Sequence, residues 1–213
     1  MKQTSRIIII SLLLLSMLAA LYTMSCVGFW ISLNIHNGVF SRSVPDGERQ
    51  MRTEVVTTAL TWLGITEKSE EHSQLLAVYN GHEPLPRGYV VTGDDNWCAA
   101  FGTCVAIQCN LTDLIPAECG CERQIELWKN MGRWTENDNH VPLPGDYIYY
   151  NWNEKAGLKD NTGWADHVGI VVGTSGPLIK VIEGNKDDSV SYRIIFRGDY
   201  RIRGFGLPDY ASQ

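Results

Sequence analysis

The chain has 213 residues, 18 of them basic and 24 acidic, giving a formal net charge of −6 at pH 7. Lys2 and Arg6 are the only charges among the first 35 residues, so the remaining 178 carry 16 basic against 24 acidic side chains, a formal −8. That balance excludes a general nucleic-acid binder, which needs cations facing phosphates.

Ile7 to Ile35 form a run of 29 residues without a charged side chain. About 20 apolar residues cross a bilayer as a helix, so the run is long enough to span with tilt. Lys2 and Arg6 precede it, which keeps residues 1–6 cytoplasmic and exports the C-terminal part of the chain. A cleaved signal peptide is the alternative, with an apolar core from Ile7 to Leu21. The small-residue cleavage signals near Ala19-Ala20 are poor, Thr23-Met24-Ser25-Cys26 matches a lipoprotein site weakly, and the apolar run outlasts a normal signal core. A signal anchor over 7–35 is therefore preferred, and either reading exports the remainder. Residues 36–47, with Gly, Ser, Pro and Asp, read as a linker to one domain over 48–213.

Within that domain, Glu48 to Leu63 places apolar side chains near helical spacing and Gly64 stops it. Glu70 to Tyr79 is a second predicted helix, with His72 and His82 flanking it in polar surroundings. Gly81 to Gly93 is a loop. Asp94-Asp95-Asn96 then offers caps for a helix from Trp97 to about Gln108. That helix is apolar on all sides, so it is expected to be buried. Glu122 to Met131 is the last predicted helix. After Pro144 the pattern becomes aromatic and β-branched: Asp146–Trp152, His167–Thr174, Leu178–Asn185, Val190–Phe196 and Tyr200–Gly206. Short polar turns separate these runs, which predicts an antiparallel meander and an α+β domain, helices first and sheet second.

Of six cysteines, Cys26 lies in the apolar run and five follow it. An odd number in an exported domain leaves one thiol free. The plain alternative is five buried, reduced thiols. Cys98 falls in the first turn of the buried helix, where backbone N–H groups and the helix dipole favour a thiolate. Cys104, Cys109 and Cys119 lie inside that helix or past its end, without such a field. A disulfide among Cys104, Cys109, Cys119 and Cys121 is expected, with its pairing open. No cysteine spacing fits a structural zinc site, no acidic cluster fits an EF-hand, and no cofactor is expected. Asn110-Leu111-Thr112 matches a glycosylation acceptor, a common tripeptide.

A cysteine nucleophile needs a base and a group that orients the base. His167 opens a predicted strand and can reach a helix start. His140 sits in a loop, and His36, His72 and His82 occupy no rigid element predicted to face Cys98. The strands from His167 and Leu178 are joined by Thr174-Ser175-Gly176-Pro177. Paired residues in an antiparallel hairpin have a constant sum, here 350 to 352 for a loop of three to five residues. His167 then lies opposite a residue between Glu183 and Asn185. These two project on one face, so either can orient the imidazole. The alternative is that Glu183-Gly184-Asn185 is only a polar strand end.

Four stretches, in order, carry a resemblance: Trp97-Cys98-Ala99-Ala100-Phe101, Pro144-Gly145-Asp146-Tyr147-Ile148, Asp166-His167-Val168-Gly169-Ile170-Val171 and Val181-Ile182-Glu183-Gly184-Asn185. Together they resemble the CHAP domain, the cysteine- and histidine-dependent amidohydrolase/peptidase of the NlpC/P60-like, papain-related superfamily. Gly204-Phe205-Gly206-Leu207-Pro208 is similar to the end of such domains. Ala59 to Gly64 and Val78-Tyr79-Asn80 resemble their leader helices in proteins of gut bacteria and phages. The likeness implies a papain-like fold and hydrolysis of a peptidoglycan amide, as an N-acetylmuramoyl-L-alanine amidase or a stem- or bridge-peptide endopeptidase. It implies Cys98 as nucleophile, His167 as base, Glu183 as orienting acid and Asn185 as an orienting or polarising amide. Some family members carry a larger polar side chain at the position of Gly184, which bears on cleft shape. The expected partners are peptidoglycan and, through the N-terminal segment, a membrane. A wall-peptide-binding module without catalysis and a papain-like protease acting on proteins are the competing readings.

Overall fold

The computed structural model describes residues 44–137, 139–154 and 163–212. The anchor expected over 7–35, and most of the expected linker, lie outside the described residues. Among the described residues, no helix is long and apolar enough to cross a membrane.

Four α-helices and a six-stranded antiparallel sheet, among the described residues, make an α+β domain. Helix α1 spans Asp46–Thr61, starting two residues before the expected domain boundary, and α2 spans Glu70–Asn80. The Ser69 side chain caps α2 by accepting from the His72 N–H, satisfying one of the donors a helix start leaves open. Helix α3 spans Cys98–Gln108 and α4 spans Cys121–Asn130. Nine consecutive α3 residues, Cys98 to Ala106, are buried, as an all-apolar helix requires.

The strands are β1 (Trp134–Thr135), β2 (Tyr147–Tyr150), β3 (His167–Ser175), β4 (Leu178–Glu183), β5 (Ser191–Phe196) and β6 (Ile202–Gly206), in the order β1-β6-β2-β3-β4-β5. The expected meander holds for β2 to β5. It fails for β6, which returns to the far side of β2. Strand β2 is central and buried on both faces. Tyr147 donates to the Gly102 carbonyl of α3 at 2.8 Å, and Tyr149 donates to Gln124 of α4 at 2.7 Å. Ile148 and Tyr150 point the other way, into a cluster with Val171, Ile179, Val181, Ile195, Ile202 and Phe205.

Helix α3 packs against β3, α1 and α2, so its N-terminus is fixed by the sheet and by both preceding helices. Gly184 lets the end of β4 approach it. A Cβ there would fall 2.5 Å from Phe101 Cβ and 2.9 Å from Trp97 Cζ3. No larger side chain fits at 184 without moving α3, so position 184 is glycine for a packing reason.

Candidate active site

Cys98 is the first residue of α3. The expected acidic cap is absent, because the residue in the cap position is Trp97 and no side chain caps the helix. Asp95 instead holds its own loop, accepting from the Thr92 N–H at 2.8 Å and the Tyr89 hydroxyl at 2.8 Å. Asn96 accepts from the Asn185 amide at 3.2 Å. The start of α3 thus keeps its backbone donors and positive dipole end beside the Cys98 sulfur. Cys98 is 3 % exposed and lines a cleft of about 410 Å³ together with Tyr89, Asn96, Cys121, Trp164 and Asp166.

His167 opens β3, opposite Tyr150 of β2, whose ring stacks on the imidazole at 6.1 Å. Its Nε2 lies 3.1 Å from Glu183 Oε2. With Nε2 committed to Glu183, Nδ1 is the ring nitrogen left free, and the imidazole and the Cys98 thiol shift each other's titration. Glu183 is fully buried and also accepts from Arg193 Nε at 2.7 and 2.9 Å. Arg193 in turn lies over the Trp152 ring at 4.3 Å.

The hairpin register explains why Glu183 takes this position. The turn is only Gly176-Pro177, and Ser175 pairs with Leu178, a sum of 353. Had that sum persisted, Glu183 would project from the face opposite His167. An extra residue at Val172 forms a β-bulge, beyond which Ile170 pairs with Ile182 and the sum is 352. The bulge puts Glu183 on the face of His167, and Gly169 between them leaves room: a Cβ at 169 would lie 2.7 Å from Glu183 Cγ.

Asn185 is not brought to His167. Its backbone turns left-handed at φ 55°, and its amide reaches Asn96 instead. The rival His140 has its Nε2 3.7 Å from Asp146 Oδ2 and its ring tilted against Phe205, away from Cys98. His72 differs from the polar setting expected of it. It is buried in α2 and packs on Trp97 at 4.6 Å, its Nδ1 accepting from the Lys68 N–H. The expected disulfide is also absent, since Cys98, Cys104, Cys109, Cys119 and Cys121 are all free thiols.

Two groups escaped the sequence. Arg193 pairs with Val181 across the β4–β5 turn and so shares the face of Glu183, but the length of that turn left the register open in the sequence. Cys121 opens α4, and its Sγ is 3.6 Å from Cys98 Sγ, a contact between two helix starts 23 residues apart. A second cysteine at a predicted helix start was the one signal available for it.

The electrostatics separate the five thiols. The Cys121 S–H against its sulfur, opposed by burial and reinforced by the His167 imidazolium, holds Cys98 well below the ordinary thiol range. The same contact with Cys98, together with burial, pushes Cys121 well above it. Burial pushes Cys104 up to about 12 and raises Cys109 and Cys119. Burial alone would lower His167, but the Cys98 thiolate and Glu183 raise it to about 10. Both shifts run in the direction of a thiolate paired with an imidazolium. Iodoacetamide at about pH 6, below the ~8.5 of a free thiol, is expected to label Cys98 ahead of the other four. Peptide mass mapping reads this, and equal labelling of all five would refute the thiolate.

Among the described residues, no group of His, Cys, Asp and Glu is arranged to hold a metal ion. No protein-family model matches the chain, and no curated protein or solved structure is significantly similar to it.

Proposed function

We propose that this domain is a cysteine-nucleophile hydrolase of the CHAP type, with a papain-like arrangement, cutting an amide bond of peptidoglycan. The observation that carries the proposal is a cleft-lining thiol at a helix start, lowered in part by an imidazole whose Nε2 lies against a buried carboxylate. A site that only binds has no use for a thiolate held by an imidazolium. The substrate class rests on the four sequence stretches that resemble CHAP domains.

Cys98 thiolate attacks the amide carbonyl carbon. Backbone N–H groups at the start of α3, including that of Cys98, stabilise the oxyanion. Asn96, steadied by Asn185, stands at the same edge of the cleft. His167 gives its proton to the leaving amine, then activates water to release the acyl group. Glu183 keeps the imidazole in register and is itself fixed by Arg193. With a formal −8 after residue 35, the domain gains nothing from charge in approaching an anionic wall. The apolar segment over 7–35 would instead hold it beside the wall as a membrane anchor, with the domain outside the cytoplasm.

The test is digestion of purified cell walls by the full-length chain, with released fragments identified by mass. New amino termini from stem or bridge peptides, or freed lactyl groups, are expected. Intact walls alongside cleavage of a denatured protein would favour a papain-like protease. Intact walls with saturable binding of muropeptides would favour a binding module.

A further inference from the structure

The contact between Cys98 and Cys121 has a chemistry that hydrolysis does not use. Both residues are buried, both are free thiols, both line the cleft, and their sulfurs are 3.6 Å apart. A disulfide bond is about 2.05 Å long, so the sulfurs need to close by roughly 1.5 Å. Each side chain leaves the first residue of its helix, where rotation about χ1 is less confined by a preceding turn.

We propose that Cys98 and Cys121 are a reversible oxidation site, at which hydrogen peroxide converts the nucleophile and its neighbour into a disulfide that blocks the nucleophile. The proposal rests on the reading of Cys98 as a reactive nucleophile. Cys98 thiolate attacks a peroxide oxygen, the O–O bond breaks, and the departing oxygen takes a proton and leaves as water. Cys98 is then a sulfenic acid. The Cys121 sulfur attacks the Cys98 sulfur, the S–O bond breaks, and the hydroxide removed takes the Cys121 proton and leaves as a second water. Two thiols have lost two electrons to one hydrogen peroxide. A dithiol reductant reverses the bond by exchange. Of the two sulfurs, Cys98 is the attacking one, since it carries the charge. Cys121 is the resolving one, poised where over-oxidation of Cys98 would otherwise proceed.

The full-length chain is exposed to equimolar hydrogen peroxide, alkylated with iodoacetamide, digested without reductant and mapped by mass. The expected product is a peptide joining Cys98 to Cys121, lighter by two hydrogens, with Cys104, Cys109 and Cys119 still alkylated. Dithiothreitol is expected to restore labelling of Cys98 to that of untreated protein. In Cys121→Ser, with peroxide raised to several equivalents, Cys98 is expected to pass through sulfenic to sulfinic acid with a second peroxide consumed, and dithiothreitol no longer restores it. Cys98 as sulfinic acid beside a free Cys121 in the wild type, or Cys98 joined to another cysteine, would overturn the proposal. The crosslink is read by mass, so it stands or falls whether or not the protein digests walls.

Discussion

Cys98→Ala is expected to lower wall hydrolysis by about 10⁴-fold or more, since removing the nucleophile of an acyl-transfer site removes nearly all its rate enhancement. The fold is expected to survive, because the change removes one sulfur from the start of a helix already fixed by the sheet and both preceding helices. A cost of about 1 kcal/mol covers the small cavity, a shift of only a few degrees in Tm for a domain of this size. Dye release from labelled walls, together with a melting curve on the same sample, checks both. Cys121→Ala separates the two sulfurs. It removes one hydrogen bond to a charged group, worth about 1.5–3 kcal/mol, so turnover is expected to fall by about one or two powers of ten. Equal activity in Cys98→Ala and wild type sinks the assignment, and loss confined to Cys121→Ala would transfer the role to the other thiol.

Glu183→Gln is expected to damage both activity and stability. The side chain is fully buried between His167 and Arg193, so the substitution keeps its shape and removes its charge. Arg193 is then left without its anion. Removing one partner of a buried ion pair costs about 3–5 kcal/mol, and the partial exposure of Arg193 puts the expectation at or below the lower end. Turnover is expected to fall by about 10²- to 10⁴-fold, the range seen when the orienting group of a triad loses its charge. The pH dependence distinguishes this from general loosening. Although burial alone would raise it, the His167 and Arg193 contacts hold Glu183 below its usual 4.5. Its stabilisation is therefore present above that pH and lost as acid carries it through the folded-state value. His167 is raised from 6.5 to about 10, so its contribution is complete below 6.5 and lost as pH rises toward 10. These two groups alone would leave a plateau between those limits; the lowered Cys98 thiol adds its own loss as pH falls from 9.0 toward its folded value, which Glu183→Gln does not remove. In Glu183→Gln the acid limb is expected to flatten, with urea midpoints across the pH range as the readout. An unchanged acid limb would mean Glu183 is not the group that titrates.

The local pattern announced several elements with little error. The all-apolar run after Trp97 could only be a buried helix, and α3 is one. The β-branched runs after Pro144 became β2 to β5, each paired with its neighbour in sequence, as consecutive strands usually are, although only β3 and β4 share a tight turn. Tyr200 to Gly206 escaped that logic. Its place beside β2 depends on which sheet edge remains open, a property of the assembled sheet. The cap from Asp94-Asp95-Asn96 failed because Asp95 finds nearer donors in Thr92 and Tyr89 and Asn96 is engaged by Asn185.

At the site, the sequence by itself determined the residue types and their order along the chain: a cysteine at a helix start, a histidine at a strand mouth, and a carboxylate and an amide at the far end of the next strand. It could not choose between Glu183 and Asn185. That choice belongs to one inserted residue, Val172, whose bulge turns Glu183 toward His167 and away from the opposite face. The contacts of Cys98 with Cys121 and of Glu183 with Arg193 were likewise decided only by the tertiary structure. Spacing along a strand or helix is set by its own repeat, whereas the meeting of two helix starts, or of residues across a long turn, is set by how the elements pack.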